Sequence, residues 1–199
     1  MELTALEQEV LEQYEASLFV PPQPTRKQFI LCPVGIVGAG KTTVLKPLAE
    51  KLALVRISGD DIRFLLKQRG LSYDGVVSIG AAISKKYLSE GYSLALDSDA
   101  ASPRSKEVIE DAQEEFGVIP IWVHINPPED FILNKLRTYK HTWLFKDADQ
   151  AVQNYMNRKE LHENLEEYPF VYTFDTSKTD LATQIAEAVA IIEPLTVLE

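Results

Sequence analysis

The chain has 199 residues, 45% hydrophobic and 25% charged, which is the balance of an ordinary globular protein with enough length to bury one large core. Its 30 acidic residues against 20 basic ones leave a formal net charge of −10 with no long basic run, so an extended nucleic-acid footprint is disfavoured. No apolar run approaches the roughly 20 residues that cross a bilayer, the start of the chain lacks the basic opening of a signal peptide, and the single cysteine allows no internal disulfide; together these point to a cytoplasmic protein with no membrane partner.

Leu3, Leu6, Val10, Leu11, Tyr14 and Leu18 recur at helical spacing and predict an amphipathic helix over residues 3–18, ended by Pro21-Pro22-Gln23-Pro24. Residues 1–24 are therefore read as a helix and a stiff connector, packed on the domain or on a partner subunit, which admits a homodimer through the helix. One domain is expected over 25–199. Strand one spans about Gln28 to Val34, with Cys32 as a small core residue, and a helix runs from Lys41 to about Leu52. Strand two is Leu54 to Ile57, followed by helices near Asp61 to Gln68 and Asp74 to Ser89; strand three is Tyr92 to Leu96. Ser102 with Pro103 behind it opens a helix that Gly117 stops. Strand four is Val118 to Ile125, helices follow over about 128–139 and 149–166, strand five is Phe170 to Phe174, and a last helix covers 181–192. Strands alternating with helices imply right-handed crossovers, hence an α/β, three-layer fold with a five-stranded parallel sheet flanked by helices.

Residues Gly35 to Thr42 read G-I-V-G-A-G-K-T, an unbroken G-x-x-x-x-G-K-[ST] placed directly after the first strand. A strand that turns tightly into a helix N-terminus aims consecutive backbone N–H groups at one point, and that point binds phosphate. The nucleotide-binding set is Gly35, Gly38, Ala39, Gly40, Lys41, Thr42 and Thr43, with Lys41 reaching the β and γ phosphates of ATP and the Thr42 hydroxyl taking one position on Mg2+.

Ligands in such sheets bind at the carboxyl ends of the strands, where Asp60 and Asp61, Asp97 and Asp99, and Asp175 all stand. Asp97 fits the carboxylate that holds Mg2+ beside the triphosphate, and Asp60 the one that accepts the proton of an attacking hydroxyl. Asp60 and Asp61 also suit a helix cap, and Asp175 suits a turn. Phosphoryl transfer needs cations over the equatorial oxygens as well. Arg63, one helical turn from Asp60, is placed to grip an acceptor, while Arg137, Lys140 and Arg158 flank the polar segment His141 to Gln150, a candidate lid near 140–150 that would exclude water. His124 reads as a core histidine; His141 and His162 share no metal-ligand spacing with each other or with Cys32.

The phosphate loop, Ser58-Gly59-Asp60-Asp61-Ile62-Arg63, the strand ending in Asp97-Ser98-Asp99, and Phe174-Asp175-Thr176-Ser177 together resemble the P-loop kinases grouped with zeta toxins, chloramphenicol phosphotransferase and the kinase domain of 5′-hydroxyl polynucleotide kinase. The resemblance covers about residues 27–192. It implies that Asp60 is the general base, that Arg63 contacts the substrate, that a lid supplies arginines to the transferring group, and that Thr176-Ser177-Lys178 lies near the adenine. Polynucleotide kinases carry Asp-x-Thr-Asn where this chain has Asp97-Ser98-Asp99-Ala100, and the positions of the group's lid arginines fall on Lys135 and Tyr139.

The expected activity is transfer of the ATP γ-phosphoryl group to a hydroxyl of a small-molecule or nucleoside-type acceptor. Two readings stand beside it: a nucleotide-hydrolysing ATPase or GTPase switch with no acceptor, and a polynucleotide 5′-hydroxyl kinase. A GTPase switch needs Asp-x-x-Gly after a strand, and Asp97-Ser98-Asp99-Ala100 lacks the glycine; the guanine-reading Asn/Thr-Lys-x-Asp is approached only by Ser177-Lys178-Thr179-Asp180.

Overall fold

The computed structural model describes residues 3–24, 27–138, 140 and 144–196. Tyr139 and His141, with the part of the expected lid at 142–143, lie outside the described residues. Five strands, β1 (Phe29–Val34), β2 (Val55–Ser58), β3 (Leu94–Asp97), β4 (Ile119–Ile125) and β5 (Phe170–Phe174), form one sheet in the order β2-β3-β1-β4-β5. Every pairing is parallel.

Burial on both faces explains why β1 reads as an uninterrupted apolar run rather than an alternation. Phe29 and Leu31 enter one core with α2 (Lys41–Lys51) and α8 (Leu181–Leu195), while Ile30, Cys32 and Val34 enter a second with α3 (Gly59–Gln68), α4 (Gly75–Ser89) and α5 (Pro103–Phe116). Pro33 is tolerated mid-strand because the β1–β3 ladder ends at Leu31–Ala95, so no donor is needed beside it; its carbonyl accepts from Ala100 N at 2.8 Å.

The first helix, α1 (Ala5–Glu15), starts at a Thr4–Glu7 capping box and lays Val10 and Tyr14 against α3 and α4. Its buried face is covered within this chain. The Tyr14 hydroxyl accepts from Ser58 N at 2.7 Å and donates to Arg56 O at 3.4 Å, which fixes the end of β2.

Two of the departures from the sequence expectation have a local cause. Strand β3 begins at Leu94, since Tyr92 is still closing the turn after α4 through its N–H to Tyr87 O. The helix expected over 149–166 is α7 (Ala148–Arg158) followed by a short 3-10 helix at Lys159–His162. Tyr155 is the last buried side chain of α7, and the 3-10 turn that follows has none. Helix α6 (Glu129–Arg137) and α7 pack together and are tied by Lys159 to Glu129 at 2.7 Å.

Candidate active site

Gly38 and Gly40 adopt φ of +85° and +95°, the left-handed region that a side chain disfavours, and so turn the chain from β1 into α2. A Cβ on Gly35 would meet Ile125 O at 2.9 Å, so the loop also leaves β1 pressed on β4. Ala39 is fully buried, Thr42 and Thr43 are exposed on the first turn of α2, and among the described residues no side chain caps that helix. Its first amides are thus left without a side-chain cap, as a helix N-terminus that binds an anion would be.

Lys41 Nζ donates to Gly35 O at 2.6 Å and Ile36 O at 3.2 Å, folded back over its own loop. Burial lowers its pKa, against the opposing pull of Asp99, Asp97 and Asp60, while Arg158 lowers it further. Of the residues expected in the site, Asp97, Asp60 and Arg158 thus act electrostatically on Lys41. A phosphate tail entering the site would meet an ammonium already partly stripped of water.

Thr42 Oγ1 donates to Asp97 Oδ1 at 3.0 Å, across the base of the site. These two oxygens suit Mg2+, which is held by one or two protein oxygens together with phosphate oxygens and water rather than by an all-protein cage; among the described residues no group of three His, Cys, Asp or Glu side chains is placed to hold a metal. Burial raises the pKa of Asp97, opposed by Arg56 and Thr42.

Ser58 caps α3 by accepting from Asp61 N at 3.2 Å, which leaves Asp60 on the first turn without a capping duty. Asp60 Oδ1 instead pairs with Arg63 Nη1 at 2.6 Å, and both side chains remain partly open to solvent. Thr176 Oγ1 donates to Ala39 O at 2.7 Å, and its side chain lies on Gly40, where an added Cβ would be 3.1 Å away. Ser177 donates from N and Oγ to Asp175 Oδ1, at 3.0 and 2.6 Å, making Asp175 the anchor of that turn.

Arg158 ends α7, exposed but electrostatically felt at Lys41. Arg137 and Lys140 are exposed, and neither makes an ion pair among the described residues. Leu136, beside Arg137, lies over the loop, 3.1 Å from where a Cβ on Gly38 would sit.

Sequence reasoning passed over three polar residues. Arg56, in mid-β2, pairs with Asp97 through one nitrogen and with Asp61 Oδ2 at 2.6 Å through the other. His162 contacts Asp99, which in turn accepts from Gly35 N at 3.4 Å. Gln184, buried on α8, accepts from Asp175 N at 2.8 Å and donates to Asp175 O at 3.1 Å, holding the turn that presents Thr176 and Ser177. His124 stacks on Phe170 with ring centres 4.7 Å apart, and burial lowers its pKa.

No protein-family model matches the chain, and no curated protein matches its sequence. Solved structures do match in shape. A chain from the PezAT chromosomal toxin–antitoxin system of Streptococcus pneumoniae superposes with a TM-score of 0.60 at 16% identity, over 97% of this chain and 98% of that one. A putative kinase from Chloroflexus aurantiacus gives 0.62 at 15% identity over 87% and 100%, and shikimate kinase from Acinetobacter baumannii gives 0.52 at 18% over 86% and 96%. At these identities the likeness is one of fold: a three-layer α/β P-loop kinase fold built on a five-stranded parallel sheet. Among the described residues, no helix is long and apolar enough to cross a membrane.

Proposed function

We propose that this protein is an ATP-dependent phosphotransferase that moves the γ-phosphoryl group of ATP to a hydroxyl of a small molecule, and that it is akin to the zeta-toxin group of P-loop kinases. The observation that carries the reading is the Asp60–Arg63 pair at the mouth of α3, open to solvent and with its carboxylate felt at both Lys41 and Asp97. A switch needs to sense the γ-phosphate but has no use for a second carboxylate facing it. A kinase needs one for the acceptor. The match to the Streptococcus pneumoniae chain supports the narrower kinship, because it extends over nearly the whole chain, while the two kinases leave more than a tenth of it uncovered.

In the proposed reaction, Lys41 leaves its two loop carbonyls for the β and γ phosphates, which lie along the amides of 35–42. Thr42 and Asp97 hold Mg2+, which supplies charge neutralisation and alignment of the phosphates when bound. Asp60 accepts the proton of the acceptor hydroxyl as its oxygen bonds to the γ-phosphorus and the bond to the β–γ bridging oxygen breaks, releasing ADP. Arg63 orients Asp60 and the acceptor; Arg158 and Arg137, on the α6–α7 pair that overlies the loop, approach the transferring group as that pair closes. Thr176 and Ser177 border the base.

The test is γ-labelled ATP with a panel of nucleosides, sugars, aminoglycosides, chloramphenicol and 5′-hydroxyl oligonucleotides. Label should pass to one acceptor class, Asp60→Asn should reduce transfer by about 10²–10⁴-fold with ATP still bound, and Lys41→Ala should weaken phosphate binding itself. Label released only as free phosphate across the panel would favour the switch. Full transfer by Asp60→Asn would remove the base assignment.

A further inference from the structure

His162 and Asp99 form a polar pair that the proposed chemistry leaves unused, joining segments 63 residues apart in sequence. His162 Nε2 lies 3.1 Å from Asp99 Oδ2, and the two side chains are only 10% and 8% exposed. The other carboxylate oxygen of Asp99 accepts from Gly35 N at 3.4 Å and from Ala101 N at 3.3 Å. Asp99 is also foremost among the carboxylates acting on Lys41. His162 ends the 3-10 helix that continues α7, and Lys159, in the same turn, is paired to Glu129 on α6. His124 of β4 also lies within electrostatic reach of His162. One imidazole thus connects the α6–α7 pair to the first amide of the phosphate loop.

We propose that His162 is a positioning residue: through Asp99 it sets the Gly35 amide and Lys41 for phosphate and couples nucleotide binding to docking of α7. The inference rests on the reading of this site as a nucleotide site. Asp99 needs this partner, since without His162 its Oδ2 loses that hydrogen bond and the two backbone donors on Oδ1 leave part of the desolvation cost of a buried carboxylate unmet. With His162 in place that carboxylate stands fixed and charged beneath Lys41. Without it, the lowest-cost response is for Asp99 to draw the Lys41 ammonium to itself and away from the nucleotide.

The experiment measures Mg·ATP affinity of the full-length protein by calorimetry, and amide hydrogen exchange over residues 148–158 with and without the nucleotide. His162→Leu should weaken Mg·ATP binding about tenfold, as expected for loss of a hydrogen bond to a buried charge, and should abolish nucleotide-induced protection of α7. His162→Gln, which keeps a donor for Asp99, should restore most of both. In a cycle with Asp99→Asn the two losses should be strongly non-additive. If His162→Leu does not fold, His162→Asn, too short to reach the carboxylate, is measured in its place. Affinity within twofold of the parent, or additive losses, would overturn the coupling. A parent protein that binds no nucleotide would instead overturn the functional reading beneath it.

Discussion

Tyr14→Phe tests whether α1 is part of the site's foundation. The hydroxyl it deletes is the acceptor for Ser58 N at 2.7 Å, and Ser58 is 2% exposed, so no water stands ready to replace it. An orphaned buried backbone donor costs about 1–3 kcal/mol; for a chain of this length each kcal/mol moves the melting midpoint by roughly 2–4 °C, giving a fall of about 2–12 °C. Tyr87→Phe is the internal control. It removes a hydroxyl bound to Glu15 Oε1 at 3.2 Å, an oxygen that Lys86 also holds, and orphans no backbone group. Urea denaturation of both variants at one pH separates them. Because Ser58 also caps the helix that carries Asp60, Tyr14→Phe should lower the transfer rate more than it lowers ATP affinity. Equal stability losses in the two variants would refute the claim that the Tyr14 hydroxyl satisfies the end of β2.

Gly40→Ala combines a backbone penalty of about 1–2 kcal/mol for the left-handed region with a Cβ 3.1 Å from Thr176. It should lose that stability in denaturant titration and bind Mg·ATP at least tenfold more weakly. Adding Thr176→Ala should recover the contact but not the backbone penalty, and a neutral Gly40→Ala would show the turn to be differently shaped. Burial, then the nearby His162, lowers the pKa of His124, so below its ordinary value near 6.5 the unfolded chain binds a proton that the folded one resists. Stability should fall as pH drops through that value toward the folded pKa, and His124→Phe, which keeps the stack on Phe170, should flatten this part of the curve measured by thermal melting.

What the sequence disclosed divides by contiguity. The tight Gly35–Thr42 turn from β1 into α2 was legible because its signature lies in eight adjacent residues, and the sheet because apolar runs and capping signals such as Ser102-Pro103 and Gly117 are local. Asp60 and Arg63 were legible because one helical turn brings them together. Arg56 was not: it occupies a solvent-leaning position of β2 between Val55 and Ile57, and its partners arrive from α3 and from the neighbouring strand through the Ser58–Asp97 register. Nor was the end of α7, since Lys159, Glu160 and Leu161 are all good helix formers and nothing among them announces the tighter turn.

The polar pairs of this edge have one origin. In a doubly wound sheet each strand end delivers its loop to the same edge, so carboxylates far apart in sequence converge there, and each must find a cation or a donor if it is to remain charged while partly buried. Asp97 finds Arg56, Asp99 finds His162 and Asp60 finds Arg63, each from a different element. On the proposed reading such a set keeps the edge open for nucleotide, while among the described residues the hydrogen bonds of Lys41 Nζ go to carbonyls of its own loop. Under the proposed function, exchange of those carbonyls for phosphate oxygens is the step this arrangement favours, and for that reason changes that remove the partner at Arg56 or His162 should register in nucleotide affinity before they register in the fold.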